Sequence, residues 1–366
     1  MIKPRKAVKN FAPYVAGRPI EEIKRIYKLK KVIKLASNEN PYPPPEGVMK
    51  KIRTLAKSVN RYPDSNGYAV KKEIAKTFRV KPDCIVIGSG VDEIIELLAK
   101  AYLEPEDGII VSQYSFIRYE MAARLMNAKV KIIKMKKFTH NLKKMAGSAN
   151  PRDKFIFIDN PDNPTGTYNT ESEIEEMFEI LKKKKSGVIP VFDEAYADFT
   201  TAKDYVSMIK YFKKGKKIII LRTFSKTYAM AGLRFGWAFA PPEICGVIER
   251  IRPPFNTTLI SQAAAIEALR NKKYVNEIRR KILPEKKNLA RALNAMGFGV
   301  VPSETNFLLV KVGNGGNTFK KLLKMGVIVR AMDEYGLPEY IRVTVGKPSE
   351  NRFFLKCIKK IKPGGK

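Results

Sequence analysis

The sequence predicts an α/β protein, with a mainly parallel sheet in a large domain and a smaller α+β domain beside it. Three observations carry this expectation. The length, 366 residues, exceeds the roughly 250–300 residues at which a single core usually stops growing. From about Val80 to Pro241, short β-branched runs alternate with amphipathic helical stretches, the pattern of βαβ units. After Pro253-Pro254 the texture changes to long helical stretches followed by further strands.

In chain order, the segment up to about Ala36 has few elements of its own and is expected to pack on the C-terminal part, across the mouth of a site. The runs Ile85-Val86-Ile87, Ile109-Ile110-Val111, Phe155-Ile156-Phe157-Ile158, Val188-Ile189-Pro190-Val191-Phe192, Ile218-Ile219-Ile220-Leu221 and Gly236-Trp237-Ala238-Phe239 read as strands, each bounded by turn residues or charge. Helical patterns fill several gaps, for example Asp92 to Ala101 and Glu171 to Lys185. The C-terminal part is expected to hold strands at Asn306 to Val312 and Tyr340 to Val345, with a helix near Asn317 to Met325. The division is therefore 38–260 for the large domain, and 1–37 with 261–366 for the small one. No internal repeat or low-complexity segment interrupts this order.

Composition narrows the function classes. Hydrophobic residues make up 44% and charged residues 29%, as in ordinary soluble proteins, and no apolar run approaches the about eighteen residues of a membrane span. The basic start Met1-Ile2-Lys3-Pro4-Arg5-Lys6 leads into Asn10-Phe11-Ala12-Pro13 rather than an apolar stretch, so a cytoplasmic protein is expected. Cys84, Cys245 and Cys357 are far apart and odd in number, which suits neither a disulfide framework nor a metal site. With His140 as the single histidine, a Ser-His-Asp triad and a His-rich metal centre are not expected, and chemistry falls to lysine, tyrosine, carboxylates or a cofactor. The formal charge of +34 raises nucleic-acid binding. Its lysines, however, sit in many short runs with no recognisable nucleic-acid motif between them, which reads as solvated surface.

Four segments carry chemistry. Leu221-Arg222-Thr223-Phe224-Ser225-Lys226, followed by Ala231-Gly232-Leu233-Arg234, places hydroxyls, a lysine and an arginine just beyond a buried strand, where ligands of open α/β sheets bind. A lysine amine near other cations and away from water has the lowered pKa that Schiff-base chemistry requires. Val191-Phe192-Asp193-Glu194-Ala195-Tyr196 puts a carboxylate at the end of another apolar strand, where it could keep a cofactor's pyridine nitrogen protonated. Asn160-Pro161-Asp162-Asn163-Pro164-Thr165-Gly166 is a turn-rich loop after a third strand. Ile87-Gly88-Ser89-Gly90-Val91-Asp92-Glu93 is a strand, a glycine turn and a helix start, which could bind an anion or simply cap a helix.

Together these motifs resemble the fold-type I aminotransferases that depend on pyridoxal 5'-phosphate, over nearly the whole chain and in that family's order. The resemblance implies that Lys226 holds the cofactor as a Schiff base and then moves the proton, that Asp193 pairs with the ring nitrogen, and that Tyr196 and Asn163 bond the ring hydroxyl oxygen. It further implies that Thr223, Ser225, Arg234 and the amides of Gly90, Val91 and Asp92 hold the phosphate, while Phe116 stacks on the ring. Pro13-Tyr14, Leu35-Ala36-Ser37-Asn38-Glu39-Asn40-Pro41, Asn60-Arg61-Tyr62-Pro63-Asp64 and Ser303-Glu304-Thr305-Asn306-Phe307 are most similar to the histidinol-phosphate aminotransferases. By that likeness the protein is a homodimer in which Tyr62 reaches the cofactor phosphate of the neighbouring subunit. Asn40 and Asn306 belong to the substrate site; Arg342 grips an α-carboxylate, and Arg330 with Tyr14 engages the substrate phosphate. The run Tyr42-Pro43-Pro44-Pro45 departs from that family's pattern. The likeness implies transamination between L-histidinol phosphate and 2-oxoglutarate in histidine biosynthesis; aromatic amino acid aminotransferases and threonine-phosphate decarboxylases share most of these motifs and are the alternatives.

Overall fold

The computed structural model describes residues 2–8, 11 and 19–361. Strand β1 (Ile33–Lys34) comes first, and seven strands then share one sheet: β2 (Ile85–Gly88), β3 (Gly108–Ser112), β4 (Lys129–Ile133), β5 (Asp153–Asp159), β6 (Ile189–Asp193), β7 (Ile219–Thr223) and β8 (Gly236–Phe239). Their spatial order is β2-β8-β7-β6-β5-β3-β4. Strand β8 runs antiparallel to both its neighbours, and every other pairing is parallel. All strands except β8 therefore end at the same edge, and β8 begins there.

Apolar residues at both parities of each strand explain why this sheet is covered on both sides. Ile85, Ile87, Ile156 and Ile158 enter one core, while Val86, Phe155 and Phe157 enter another on the opposite face. Each such side chain removed from water contributes about 1.5–3 kcal/mol. The edge strand β4, Lys-Val-Lys-Ile-Ile, is only partly buried; its alternating lysines gave no apolar run to read, and lysines also protect an edge from pairing with another chain.

The smaller part is antiparallel. Strands β9 (Gly299–Val300), β10 (Phe307–Lys311), β12 (Arg330–Ala331) and β13 (Tyr340–Thr344) form a sheet of order β12-β13-β10-β9, while β1 pairs in parallel with β11 (Val327–Ile328). Leu308, Val310, Ile341 and Val343 face a core shared with Leu289, Leu322 and Phe354. By the period of two, Leu309 and Arg342 face the other way. The N-terminal chain joins this unit, since Leu35 N–H donates to Ile328 O at 2.7 Å and Leu35 O accepts from Thr344 N–H at 2.8 Å. Among the described residues no helix is long and apolar enough to cross a membrane.

Candidate active site

The common strand edge and the inner face of the small sheet enclose a cavity of about 420 Å³. Val91, Asp92, Phe116, Asn163, Asp193, Tyr196, Thr223, Ser225, Lys226, Arg234, Arg330 and Arg342 all line it. They come from strand ends and from turns that leave those ends, which is where the topology concentrates residues distant in sequence. Tyr335 and Glu39 complete the mouth.

The end of β6 separates two successive acids, Asp193 as its last residue and Glu194 just beyond it. Asp193 lines the cavity, whereas Glu194 turns away to Arg222, 3.0 Å distant, and to the Met208 N–H and Ser207 hydroxyl. Asp193 accepts from the Tyr119 hydroxyl at 3.0 Å and from Ala195 N–H at 3.0 Å. Burial and then the charge of Asp159 raise its carboxyl to about 7, against those two hydrogen bonds. A proton or a cation beside Asp193 thus relieves a buried negative charge.

Lys226 follows β7 by three residues. Its Nζ donates to Ser37 O at 3.2 Å and lies 5.7 Å from the centre of the Tyr196 ring. Burial lowers its pKa from 10.5 to about 8, with Arg342 and Arg234 adding to the effect and Glu39 and Asp92 opposing it. The amine is consequently a nucleophile and base near neutral pH rather than a fixed ammonium. The Tyr196 hydroxyl accepts from Asn38 Nδ2 at 2.9 Å and keeps its own proton to donate; burial raises its pKa far beyond the neutral range.

At the other end of the cavity, the helix Val91–Tyr102 starts without any side-chain cap, because its N-cap is Gly90 at φ 81°. Its first N–H groups stay available to an anion. A Cβ at Gly90 would stand 2.5 Å from an Arg234 guanidinium nitrogen, and its φ of 81° is one that L side chains rarely adopt, so the position favours glycine. Arg234 itself holds a left-handed backbone at φ 51° just before β8, and pairs with Asp92 at 3.4 Å, which also meets Arg118 at 3.6 Å. The Thr223 hydroxyl accepts from Ser225 N–H at 3.0 Å. Two hydroxyls, a guanidinium and an open helix start form a donor set suited to a phosphate group.

The small sheet supplies the opposite wall. Arg330 and Arg342 are paired across β12 and β13, and both reach the cavity. Arg330 is held by Glu334. Arg342 is buried, donates to Asn163 Oδ1 and to Ala36 O, and lies 5.3 Å from the centre of the Phe307 ring. Its Nε–H is buried without a hydrogen-bond partner among the described residues. Because Arg342 occupies the Asn163 oxygen, the Asn163 amide N–H group is what remains for a ligand.

Other residues fall elsewhere. Asn40 spends its side chain on Thr227 O, 2.8 Å, and on Tyr42 N–H, 3.0 Å; it fixes the backbone next to Lys226 and is absent from the cavity lining. Asn306 is buried, with Nδ2 donating to Asn38 O at 3.0 Å and Oδ1 unpartnered among the described residues. Tyr62 is 80% exposed and stacks on Phe255 at 4.5 Å, outside the cavity of its own chain. Tyr14 lies outside the described residues.

Two features escaped the sequence reading. Tyr119 sits about one helical turn after Phe116 and bonds Asp193. His140 is buried, with Nδ1 2.6 Å from the Ser112 hydroxyl and Nε2 2.9 Å from Asp159 O. The same Nε2 lies 3.4 Å from both Asp159 Oδ1 and Asp162 Oδ1.

Residues 30–358 match the family of class I and II aminotransferases. The chain belongs to that family. It is 40% identical over 359 residues to histidinol-phosphate aminotransferase 2 of Carboxydothermus hydrogenoformans, covering 98% of each chain. Against the histidinol-phosphate aminotransferase of Moorella thermoacetica it is 38% identical, covering 98% of this chain and 93% of the relative. Among solved structures, the histidinol-phosphate aminotransferase of Sinorhizobium meliloti in complex with pyridoxal-5'-phosphate superposes with a TM-score of 0.88 at 22% identity, covering 99% and 98% of the two chains. Thermus thermophilus aspartate aminotransferase with maleate superposes with a TM-score of 0.85 at 20% identity, covering 99% and 100%. These likenesses establish the fold-type I aminotransferase fold for the chain, and the sequence matches make it an aminotransferase.

Proposed function

We propose that this aminotransferase moves the amino group of L-histidinol phosphate to 2-oxoglutarate, with pyridoxal 5'-phosphate as cofactor, in histidine biosynthesis. The observation that carries the substrate reading is the cross-strand pair Arg330 and Arg342 on the cavity wall. Like charges directly opposite one another destabilise a sheet; Glu334 offsets Arg330 in part, and an anion in the cavity would offset the pair further. A guanidinium fork suits phosphate and carboxylate alike, and this reaction presents one of each. The curated relatives, at 40% and 38% identity over nearly the whole chain, support the same substrate.

The lining also suits the cofactor, which, when bound, supplies an electrophilic carbonyl and an electron sink. Asp193 would hold the ring nitrogen's proton; Tyr196 and Asn163 would donate to the ring oxygen. Thr223, Ser225, Arg234 and the amides of Gly90, Val91 and Asp92 would hold the phosphate, and Phe116 would cover the ring. Lys226 carries and returns the proton at Nζ, which its lowered pKa allows at neutral pH. Arg342 orients the oxo acid by its carboxylate, and Arg330 draws the phosphate of the amino donor. Exposed Tyr62 suits a contact with a second copy, so a cytoplasmic homodimer is part of this reading.

The protein loaded with pyridoxal phosphate should be given histidinol phosphate, phenylalanine, tyrosine or threonine phosphate in separate cuvettes. Rapid loss of the bound cofactor's visible band with histidinol phosphate, its return on adding 2-oxoglutarate, and no change in Lys226→Ala support the proposal. Preferential response to the aromatic amino acids, or release of CO2 from threonine phosphate, would move the substrate elsewhere. Absence of any cofactor band would end the enzymatic reading, and light scattering decides the dimer.

A further inference from the structure

The one histidine of the chain has no part in the reaction just described, yet it is buried directly beneath the cavity floor. We propose that His140 is a fixed imidazolium and a positioning residue: through Asp159 it holds the backbone of Phe116 and Asn163, the two residues that meet the cofactor ring from different strand ends.

The hydrogen-bond pattern admits a consistent assignment with both ring nitrogens protonated. Nε2 faces a carbonyl oxygen, Asp159 O at 2.9 Å, so it must carry hydrogen. Nδ1 faces the Ser112 hydroxyl at 2.6 Å, and that hydroxyl has its own acceptor in Met145 Sδ at 3.3 Å. Ser112 can therefore accept from Nδ1–H while donating to sulfur. Asp159 Oδ1 and Asp162 Oδ1, each 3.4 Å from Nε2, are buried and have no hydrogen-bond partner among the described residues. Burial of an unpaired carboxylate oxygen is costly, and the imidazolium is the cation that offsets it.

Asp159 transmits the effect. Its second oxygen accepts from Asn163 N–H at 3.0 Å and from Phe116 N–H at 3.3 Å. Phe116 opens the helix Ile117–Leu125 after β3, whereas Asn163 lies in the loop after β5, so one carboxylate ties two separate strand ends together. Asp159 is also the residue opposite Asp193 in the β5–β6 register. A neutral ring at position 140 would leave Asp159, Asp162 and Asp193 close together without a compensating charge.

The titratable groups facing His140 are Asp159 at the end of β5 and Asp162 in the following loop; Ser112 of β3 and Met145 of the helix Leu142–Gly147 complete its surroundings. Burial alone would lower the histidine pKa, but Asp159 and Asp162 overcome it and raise it from 6.5 to about 9. Burial and then the charge of Asp159 push the Asp162 carboxyl well up, and the His140 cation beside it opposes that rise. A folded-state pKa above the unfolded one means that the stabilisation is complete below about pH 6.5 and disappears as pH rises through about 9.

The charge assignment is independent of the proposed substrate; the claim about cofactor contacts rests on the proposed function. A chain with a single histidine allows a direct test. In tag-free protein labelled with 13C,15N-histidine, every ring signal belongs to His140. The expected spectrum at pH 7 is that of an imidazolium with both nitrogens protonated, titrating near 9, and Asp159→Asn should lower that midpoint by more than one pH unit. A neutral ring at pH 7, a midpoint near 6.5, or no response to Asp159→Asn would overturn the proposal. Cofactor affinity gives the second readout. His140→Phe should weaken pyridoxal phosphate binding about tenfold or more, and His140→Gln, which restores an N–H donor without the charge, should recover part of the loss. Unchanged affinity in both would reject the positioning role even if the ring is charged. Failure of either arm while histidinol phosphate still discharges the cofactor band would leave the proposed function standing.

Discussion

The floor and the wall of the cavity manage their charges in opposite ways. On the floor, Asp193 is bonded by Tyr119 and Ala195, and Asp159 and Asp162 face His140, so the compensation is inside the protein. On the wall, Arg330 and Arg342 stand side by side, and the Arg342 Nε–H has no partner among the described residues. An internally balanced floor can hold one group in one pose through many turnovers. A wall on which Glu334 holds Arg330 while the Arg342 Nε–H keeps a donor to spare can exchange anionic ligands of different shape. The segment Ala36–Asn38 joins the two: Ala36 O accepts from Arg342, Ser37 O from Lys226, and Asn38 Nδ2 donates to Tyr196.

Changes to the floor should have the largest effects. Lys226→Ala is expected to lower kcat by about 10²–10⁴, the scale of losing a positioned proton carrier, in a coupled assay for glutamate formation. The unloaded variant should nevertheless be more stable. The Lys226 pKa is depressed from 10.5 to about 8, so the unfolded chain binds more protons between those values, and wild-type stability rises with pH across that window. Calorimetry at pH 7 should show Lys226→Ala gaining roughly 1–2 kcal/mol from removal of the buried charge, less the packing it loses. No gain would contradict the assigned burial cost.

Asp193→Asn should separate stability from binding in the same way. The carboxyl pKa is raised from 3.8 to about 7, so the folded state binds more protons between these values and stability falls as pH rises through them. The unloaded Asn variant should be at least as stable as wild type at pH 8, while pyridoxal phosphate binding, followed by fluorescence, weakens about tenfold or more. If the variant binds cofactor normally, Asp193 is not the ring's partner.

On the wall, Arg342→Lys should lower kcat/KM for 2-oxoglutarate about 10–100-fold, because a point charge cannot replace the fork and its hydrogen bonds to Asn163 and Ala36. Tyr119→Phe should be the mildest change. It removes the hydroxyl that donates to Asp193, costs about 1 kcal/mol, and moves the acid limb of the cofactor-binding pH profile upward, since that hydrogen bond lowers the Asp193 pKa.

Legibility in the sequence followed the same division. Asp193, Thr223 and Lys226 follow continuous apolar runs, and in a parallel sheet such runs place the next polar residue at the ligand edge. Those residues were readable for a local reason. Strand β4 was not, because an edge strand with alternating lysines has no buried pattern, and the two-residue strands β1, β9, β11 and β12 are too short to show a period. Tyr119 is not legible, because the spacing of its helix does not say which ring meets a carboxylate on β6. His140 was set aside as a lone histidine, since its partners lie 19 and 22 residues further on and meet it only after β5 is in place. Asn40, a motif position that suggested substrate, bonds the backbone of Thr227.

The most direct test of the division between floor and wall is single-turnover kinetics of the two half-reactions in Arg330→Met. The account predicts a cofactor dissociation constant within about twofold of wild type, an amino-donor half-reaction with histidinol phosphate slowed about 10–100-fold at subsaturating donor, as expected for a lost charged contact, and an oxo-acid half-reaction with 2-oxoglutarate nearly unchanged. Equal loss in both half-reactions, or a large loss of cofactor affinity, would show that wall and floor are not separable and would contradict the account.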